Sequence, residues 1–180
     1  DIIHEKLEQL ESIVSRVLSF GKSQHEMRSR YKLDKLIADI LHLVRLKLRQ
    51  ARVELNFTSD PDNPPVVEVN KGQIQQAVLN LIINAIEALS EGGKPRVGTA
   101  YHKEQGQVIA AFQDNGPGIP TEIRRHIFEP FHTSKPDGTG LGLAISYSIV
   151  ERHNGTIKIE SAPGGGTTFI VRLPEHREDM

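Results

Sequence analysis

Cysteine is missing from this 180-residue chain. That excludes disulfide staples and thiolate metal sites, and it fits a reducing compartment such as the cytoplasm. Excess charge of one sign is missing too. The 22 Lys and Arg against 23 Asp and Glu leave a formal net charge of −1, without the basic footprint of a nucleic-acid binder. No apolar run approaches the roughly 18–20 residues needed to span a bilayer, and no signal peptide opens the chain. Neither an internal repeat nor an initiating Met is present, and the chain starts inside a helical pattern. It reads as a piece of a longer protein. What remains is ordinary: 37% hydrophobic and 25% charged residues suit a globular fold of about one domain plus an appendage.

Periodicity supplies the outline. Ile3, Leu7, Leu10, Ile13 or Val14, Val17 and Phe20 fall at helical steps between Ile2 and Gln24, describing an amphipathic helix whose stripe needs a partner helix. Gly21 and the polar run Ser23 to Lys32 read as its end and a linker. A second helix is expected from Leu33 or Asp34 to about Ala51, then an alternating strand Val53 to Phe57 and a proline-rich turn. After a short strand, Val66 to Val69, a helix from Lys71 to about Ser90 is capped by Asn70 and stopped by Gly92 and Gly93. Strands Arg96 to His102 and Gln107 to Asp114 form a hairpin about Lys103 to Gly106. A helix from Gly142 to His153 and strands Thr156 to Ser161 and Thr167 to Leu173 close the chain. The expected fold is a two-layer α/β sandwich: a mixed, mainly antiparallel sheet with helices on one face. A long amphipathic helix precedes it.

Three groups of residues carry chemistry. In Val108 to Asp114 the even positions share one strand face, so the Asp114 carboxylate is aimed toward the buried side, where an unpaired charge is expensive. A donor must meet it, and the 6-amino group of adenine is one candidate. The bland alternative is an Asp that caps the following Asn115-Gly116 turn. Gly116 and Gly118 allow close backbone approach. Asn80 and Asn84 stand one helical turn apart on an otherwise apolar helix. A magnesium–triphosphate would satisfy both amides; so would neighbouring backbone. Gly138-Thr139-Gly140-Leu141-Gly142 opens a helix at Leu143, and free N–H groups there form an anion site. Its spacing matches neither the Rossmann nor the Walker loop.

Taken together, Asn80 to Ala85, Gln113 to Ile119, Phe128-Glu-Pro-Phe131 and Gly138 to Ala144 resemble the ATP-binding core of the sensor histidine kinases. These belong to the GHKL, or Bergerat-fold, superfamily with gyrase, the mismatch-repair ATPase and a heat-shock chaperone. The resemblance covers essentially the whole chain. It implies ATP and Mg2+ as ligands, Asp114 on adenine, Asn84 on the metal, and Asn80 on phosphate or a metal-bound water. Ile119 to Asp137 would be a mobile lid, anchored by Phe128 and Phe131, with Lys135 reaching the γ-phosphate. Further nucleotide contacts are implied for Gly116, Gly118, Ile119, Phe131, Thr133, Ser134, Gly138, Thr139, Gly140, Leu141, Gly142, Leu143 and Thr167. Asn80, Asn84 and Lys135 would be the catalytic set. Two departures stand out: Glu87 sits where many relatives carry a phosphate-binding Lys, and His126 where Arg or Lys is common. The combination is most like the nitrogen-regulation branch.

The resemblance implies that residues 1–30 are part of a dimerisation helix and its linker, and 31–180 an ATP-binding catalytic domain. The parent would be a homodimeric, cytoplasmic or membrane-anchored kinase. It would pass the γ-phosphoryl group to a His on a dimerisation helix and thence to a response regulator. His4-Glu5 and His25-Glu26 lack the Pro of a phosphoacceptor motif, so the acceptor is expected elsewhere. Two alternatives remain: an ATPase or Ser/Thr kinase of the superfamily, and a non-catalytic nucleotide-sensing dimerisation module. The former would need a Glu at position 80 to activate water or hydroxyl, and an amide cannot do that.

Overall fold

The computed structural model describes residues 27–59, 62, 64–89, 96–102 (backbone only), 106–133 and 138–176. The expected helix from Ile2 to Gln24, the stop at Gly92-Gly93, and Ser134 and Lys135 of the lid lie outside these residues.

Strand β1 (Ser29–Lys32) leads directly into helix α1 (Leu33–Gln50). Strands β2 (Asn56–Thr58) and β3 (Val66–Val69) follow, then helix α2 (Lys71–Glu87). The hairpin β4 (Arg96–His102) and β5 (Gln107–Asp114) comes next. A short helix α3 (Thr121–Arg124) precedes α4 (Gly142–Arg152), and β6 (Thr156–Ser161) and β7 (Thr167–Pro174) end the fold. The main sheet runs β2-β4-β5-β7-β6, with β2 parallel to β4 and the other neighbours antiparallel. A separate two-stranded sheet pairs β1 with β3.

Alternation explains the layers. In β5, Val108, Ala110, Phe112 and Asp114 are buried while their odd neighbours are not. In β7, Thr167, Phe169, Val171 and Leu173 do the same. These faces meet the buried sides of the helices, including Ile74, Leu81 and Ile82 of α2 and Ile145, Ile149 and Val150 of α4. Burying an aliphatic side chain is worth about 1.5–3 kcal/mol, so this shared core fixes α2 and α4 side by side.

Three expectations change. The segment read as linker contributes β1: Ser29 to Lys32 pair with Val69 to Val66. It has no alternating pattern, because as an exposed edge strand it owes its form to backbone pairing. Val53 does not start a strand. Its N–H donates to the Leu48 carbonyl and that of Arg52 to Arg49, a Schellman cap with Arg52 at φ 53°. The strand therefore waits until Asn56. Third, α2 closes at Glu87, short of Ser90. The same cap ends α4, with Asn154 at φ 56° and the Gly155 N–H on the Val150 carbonyl.

Candidate functional site

A cleft of about 730 Å³ opens between α2, the loop after β5, the segment before α4, and β7. Each wall has a local cause. Asp114 ends β5 opposite Thr167 of β7 and is only 4% exposed. Its Oδ1 accepts from the Gly116 N–H at 2.9 Å and the Thr167 N–H at 3.2 Å. The turn-capping alternative is therefore true, yet Asp114 still lines the cleft. One carboxylate oxygen ties the loop to β7. Beside it, the Ser161 hydroxyl accepts from the Ile119 N–H at 2.7 Å and lies 2.9 Å from the Thr167 hydroxyl.

The space that Gly116 and Gly118 leave open is filled by backbone. A Cβ on Gly116 would stand 2.6 Å from the Ala88 carbonyl oxygen, and one on Gly118, at φ 76°, only 2.0 Å from that of Ala162. The tight approach is backbone to backbone. Gly118 borders the cleft and Gly116 does not.

At the opposite end, α4 begins at Gly142 with no side-chain cap, whereas α2, packed beside it, is capped by Asn70 Oδ1 on the Gln73 N–H at 3.0 Å. First-turn N–H groups without an intrahelical partner, at a helix dipole's positive end, suit an anion. Gly140, at φ 66°, brings the loop against Phe131 and His132, where a Cβ would meet Phe131 at 2.4 Å. The Phe131 N–H donates to the Gly140 carbonyl at 2.9 Å.

Asn80 and Asn84 both face the cleft. Asn80 Nδ2 donates to the Gly142 carbonyl at 3.1 Å, and Ser146 Oγ donates to that of Ala77 at 3.2 Å. The two helices are thus bonded together where the anion site begins. Asn80 holds its neighbour in place, and its amide oxygen is the atom left for the cleft.

Of the sequence-predicted residues, Asn80, Asn84, Asp114, Gly118, Ile119, Thr133, Gly138, Thr139, Gly140, Gly142, Leu143 and Thr167 line the cleft together. Leu141 does not; its side chain is 7% exposed in the core. Phe131 is a correction: it neither anchors the lid nor lines the cleft, since its side chain is 71% exposed on a backbone at φ 65°. Phe128 does anchor, with ring centroids 5.2 Å from Tyr147 and 6.4 Å from Phe169. A hydrogen bond to Glu151 raises the Tyr147 phenol above its ordinary value. His126 is not a bare cation substitute either, for its Nδ1 lies 2.7 Å from Glu129.

The sequence reading missed the apolar walls Ile83, Ile123, Ile127 and Phe169, and also His132. Two were legible. Ile83 shares the helix face of the Asn pair, and Phe169 lies two residues past Thr167 on one strand face. The rest, Ile123, Ile127 and His132, depend on how the segment after β5 packs back against the core. A cleft with apolar walls, a buried carboxylate and uncapped helix amides can hold a purine nucleotide. Among the described residues no cluster of His, Cys, Asp or Glu could hold a metal unaided. An Asn amide beside phosphate oxygens does suit magnesium, which keeps most of its waters. No helix among the described residues is long and apolar enough to cross a membrane.

Residues 69–177 match the family described as histidine kinase-, DNA gyrase B- and HSP90-like ATPases. The chain is 35% identical over 174 residues to the signal transduction histidine-protein kinase AtoS of Escherichia coli (strain K12), covering 96% of this chain and 28% of that protein. Sporulation kinase E of Bacillus subtilis (strain 168) is 33% identical, with 97% and 23% covered. The chain therefore spans roughly a quarter of these curated relatives. Among solved structures, the catalytic domain of histidine kinase ThkA superposes with a TM-score of 0.74 at 34% identity, covering 82% of this chain and 95% of that one. ThkA in complex with the response regulator protein TrrA superposes at 0.81 and 31% identity, over 97% of this chain and 50% of that one. The chain belongs to the histidine kinase-, DNA gyrase B- and HSP90-like ATPases, in the form of a sensor histidine kinase catalytic domain.

Proposed function

We propose that this chain binds Mg-ATP and presents its γ-phosphoryl group to a His on a dimerisation helix of the parent kinase. A response regulator would then take the group from that His. The observation that carries this reading is the pairing, in one cleft, of the buried Asp114 with the uncapped N-terminus of α4. Asp114 accepts from the adenine 6-amino group, and the apolar walls cover the purine face. Amides from Gly140 to Leu143 bind phosphate oxygens. The Asn84 carbonyl oxygen would hold magnesium, which supplies charge neutralisation at the phosphates when bound. Asn80 orients α4 through Gly142 and offers its oxygen to a metal-bound water. Lys135 would reach the γ-phosphate, and Thr133 and Ser134 would be further nucleotide contacts.

In the transfer itself, an imidazole nitrogen of the acceptor attacks the γ-phosphorus. The bond to the bridging β–γ oxygen breaks, ADP leaves with that electron pair, and the imidazolium releases its proton to water. The chain's contribution is positioning and electrostatics. No carboxylate stands at position 80 to activate water, which favours the His acceptor over hydrolysis. The same reading assigns residues 31–180, extended by β1, to the catalytic domain and the segment before it to a dimerisation helix of a homodimer. The location is the cytoplasm, on a parent that is free or membrane-anchored.

The test is γ-labelled ATP incubated with this chain and a separately supplied acceptor-helix protein. Acid-labile, alkali-stable label on the acceptor supports the reading. Release of free phosphate alone, or label on Ser or Thr, overturns it.

A further inference from the structure

Asn80, Asn84 and Glu87 follow one another at four- and three-residue steps along α2, and all three border the cleft. Such spacing sets the side chains in one row. A carboxylate is an awkward third member, because it borders the cleft one turn beyond Asn84 and would repel a triphosphate. Two features offset this. Lys47, in the last turn of α1, places its Nζ 3.6 Å from Glu87 Oε1. Both side chains are about half exposed, at 49% and 40%, so the pair is weak, screened by salt and easily exchanged. The second is magnesium itself. It dehydrates reluctantly and is often held through one or two carboxylates together with substrate phosphates. A carboxylate one turn beyond Asn84 is spaced to accept a hydrogen bond from a water on a metal that Asn84 holds.

We propose that Glu87 is a further protein group for the nucleotide's magnesium beside Asn84 and Asn80, acting through metal-bound water, and that Lys47 is a counter-ion it releases when the metal arrives. This rests on the Mg-ATP reading above. It assigns a positive role to a residue that otherwise only weakens phosphate binding. It also makes the cleft discriminate: ATP without metal meets a carboxylate, and ATP with metal finds a ligand. The row of Asn80, Asn84 and Glu87 would then grade from helix positioning, through direct metal contact, to outer-sphere contact.

The experiment is calorimetric titration of ATP, with magnesium and with excess chelator, into the wild-type chain, Glu87→Gln and Lys47→Met. Both positions are exposed, so both variants should fold, and circular dichroism checks it. Glu87→Gln should bind metal-free ATP more tightly, and its ratio of magnesium-bound to metal-free affinity should fall about tenfold, the scale of one charge-assisted hydrogen bond. Lys47→Met should bind metal-free ATP more weakly and raise that ratio, because Glu87 loses a neutralising partner. With Mn2+ as a paramagnetic probe, Glu87→Gln should hold the metal of the ternary complex about tenfold less tightly. An unchanged ratio and unchanged Mn2+ affinity in Glu87→Gln, with ATP still bound, would overturn this inference alone. Failure of the wild-type chain to bind ATP at all would overturn the nucleotide reading and this inference with it.

Discussion

Replacing Asp114 separates its two jobs. Its Oδ1 accepts from the N–H groups of Gly116 and Thr167, so Asp114→Ala orphans two donors at the base of the cleft. A buried donor left unsatisfied costs about 1–3 kcal/mol. With one donor only part-buried, the sum is about 2–4 kcal/mol, or a melting point lower by about 4–16 °C for a chain of this size. Any loss of nucleotide affinity in that variant would be confounded with loosening of the loop. Asp114→Asn is cleaner. Its amide oxygen can take the place of Oδ1 and keep both bonds, which forces the NH2 group into the other oxygen's position. There it faces the adenine amine donor to donor. The lost charge-assisted bond is worth roughly 1.5–3 kcal/mol, or about ten- to a hundredfold in affinity. Toward guanine, whose 6-position is a carbonyl, the same NH2 is a match. Thermal denaturation together with calorimetric titration of ADP and GDP forms the assay. The Asn variant should melt near the wild type, lose ADP affinity and narrow the gap to GDP. Wild-type ADP affinity in Asp114→Asn would refute the adenine assignment.

Asn84→Ala should weaken ATP binding mainly in the presence of magnesium, so titrations with metal and with chelator should differ less; equal losses in both would make Asn84 structural. Gly140→Ala places a methyl 2.4 Å from Phe131 at φ 66°, so loop strain of about 1–3 kcal/mol should cut ADP affinity by roughly five- to 150-fold and lower the melting point by no more than about 12 °C. Calorimetry beside a thermal scan measures both, and unchanged affinity would contradict the close packing. The apolar stripe of Leu7, Leu10, Val14 and Val17 should drive weak self-association. Four such side chains at about 1.5–3 kcal/mol each only just offset association costs of roughly 4–15 kcal/mol. Sedimentation of the chain against one starting at Met27, which keeps β1 whole, checks this, and two monomers would end the idea.

Much of the fold was legible because its elements announce themselves by period. Alternation marked β5 and β7, and helical steps marked α1, α2 and α4. The failures share a physical cause. β1 has no pattern because an exposed edge strand buries little, and its pairing with β3 is a tertiary fact. Val53 imitated a strand because an apolar residue two past the C-cap is also what a Schellman cap uses. In the site, Asp114, Asn80 and Asn84 could be read from polarity out of place on apolar faces. What Gly116 and Gly118 do could not, since a glycine's spacing does not say whether ligand or backbone fills the missing Cβ. Phe131 misled for a similar reason. An aromatic in a loop is expected to bury itself, yet its positive φ turns this one outward.

The central claim is that one cleft reads the base at Asp114 and the phosphates at the start of α4. Amide chemical shifts of the labelled chain, followed during titration with adenosine and then with ADP, test it most directly. Adenosine should move the amides of Gly116, Ile119 and Thr167 and leave Gly140, Gly142 and Leu143 in place. ADP should move both groups, with the Gly140 to Leu143 amides responding to the phosphates alone. If ADP shifts neither group, or adenosine shifts the α4 amides as strongly as ADP does, the assignment of base and phosphate ends is wrong.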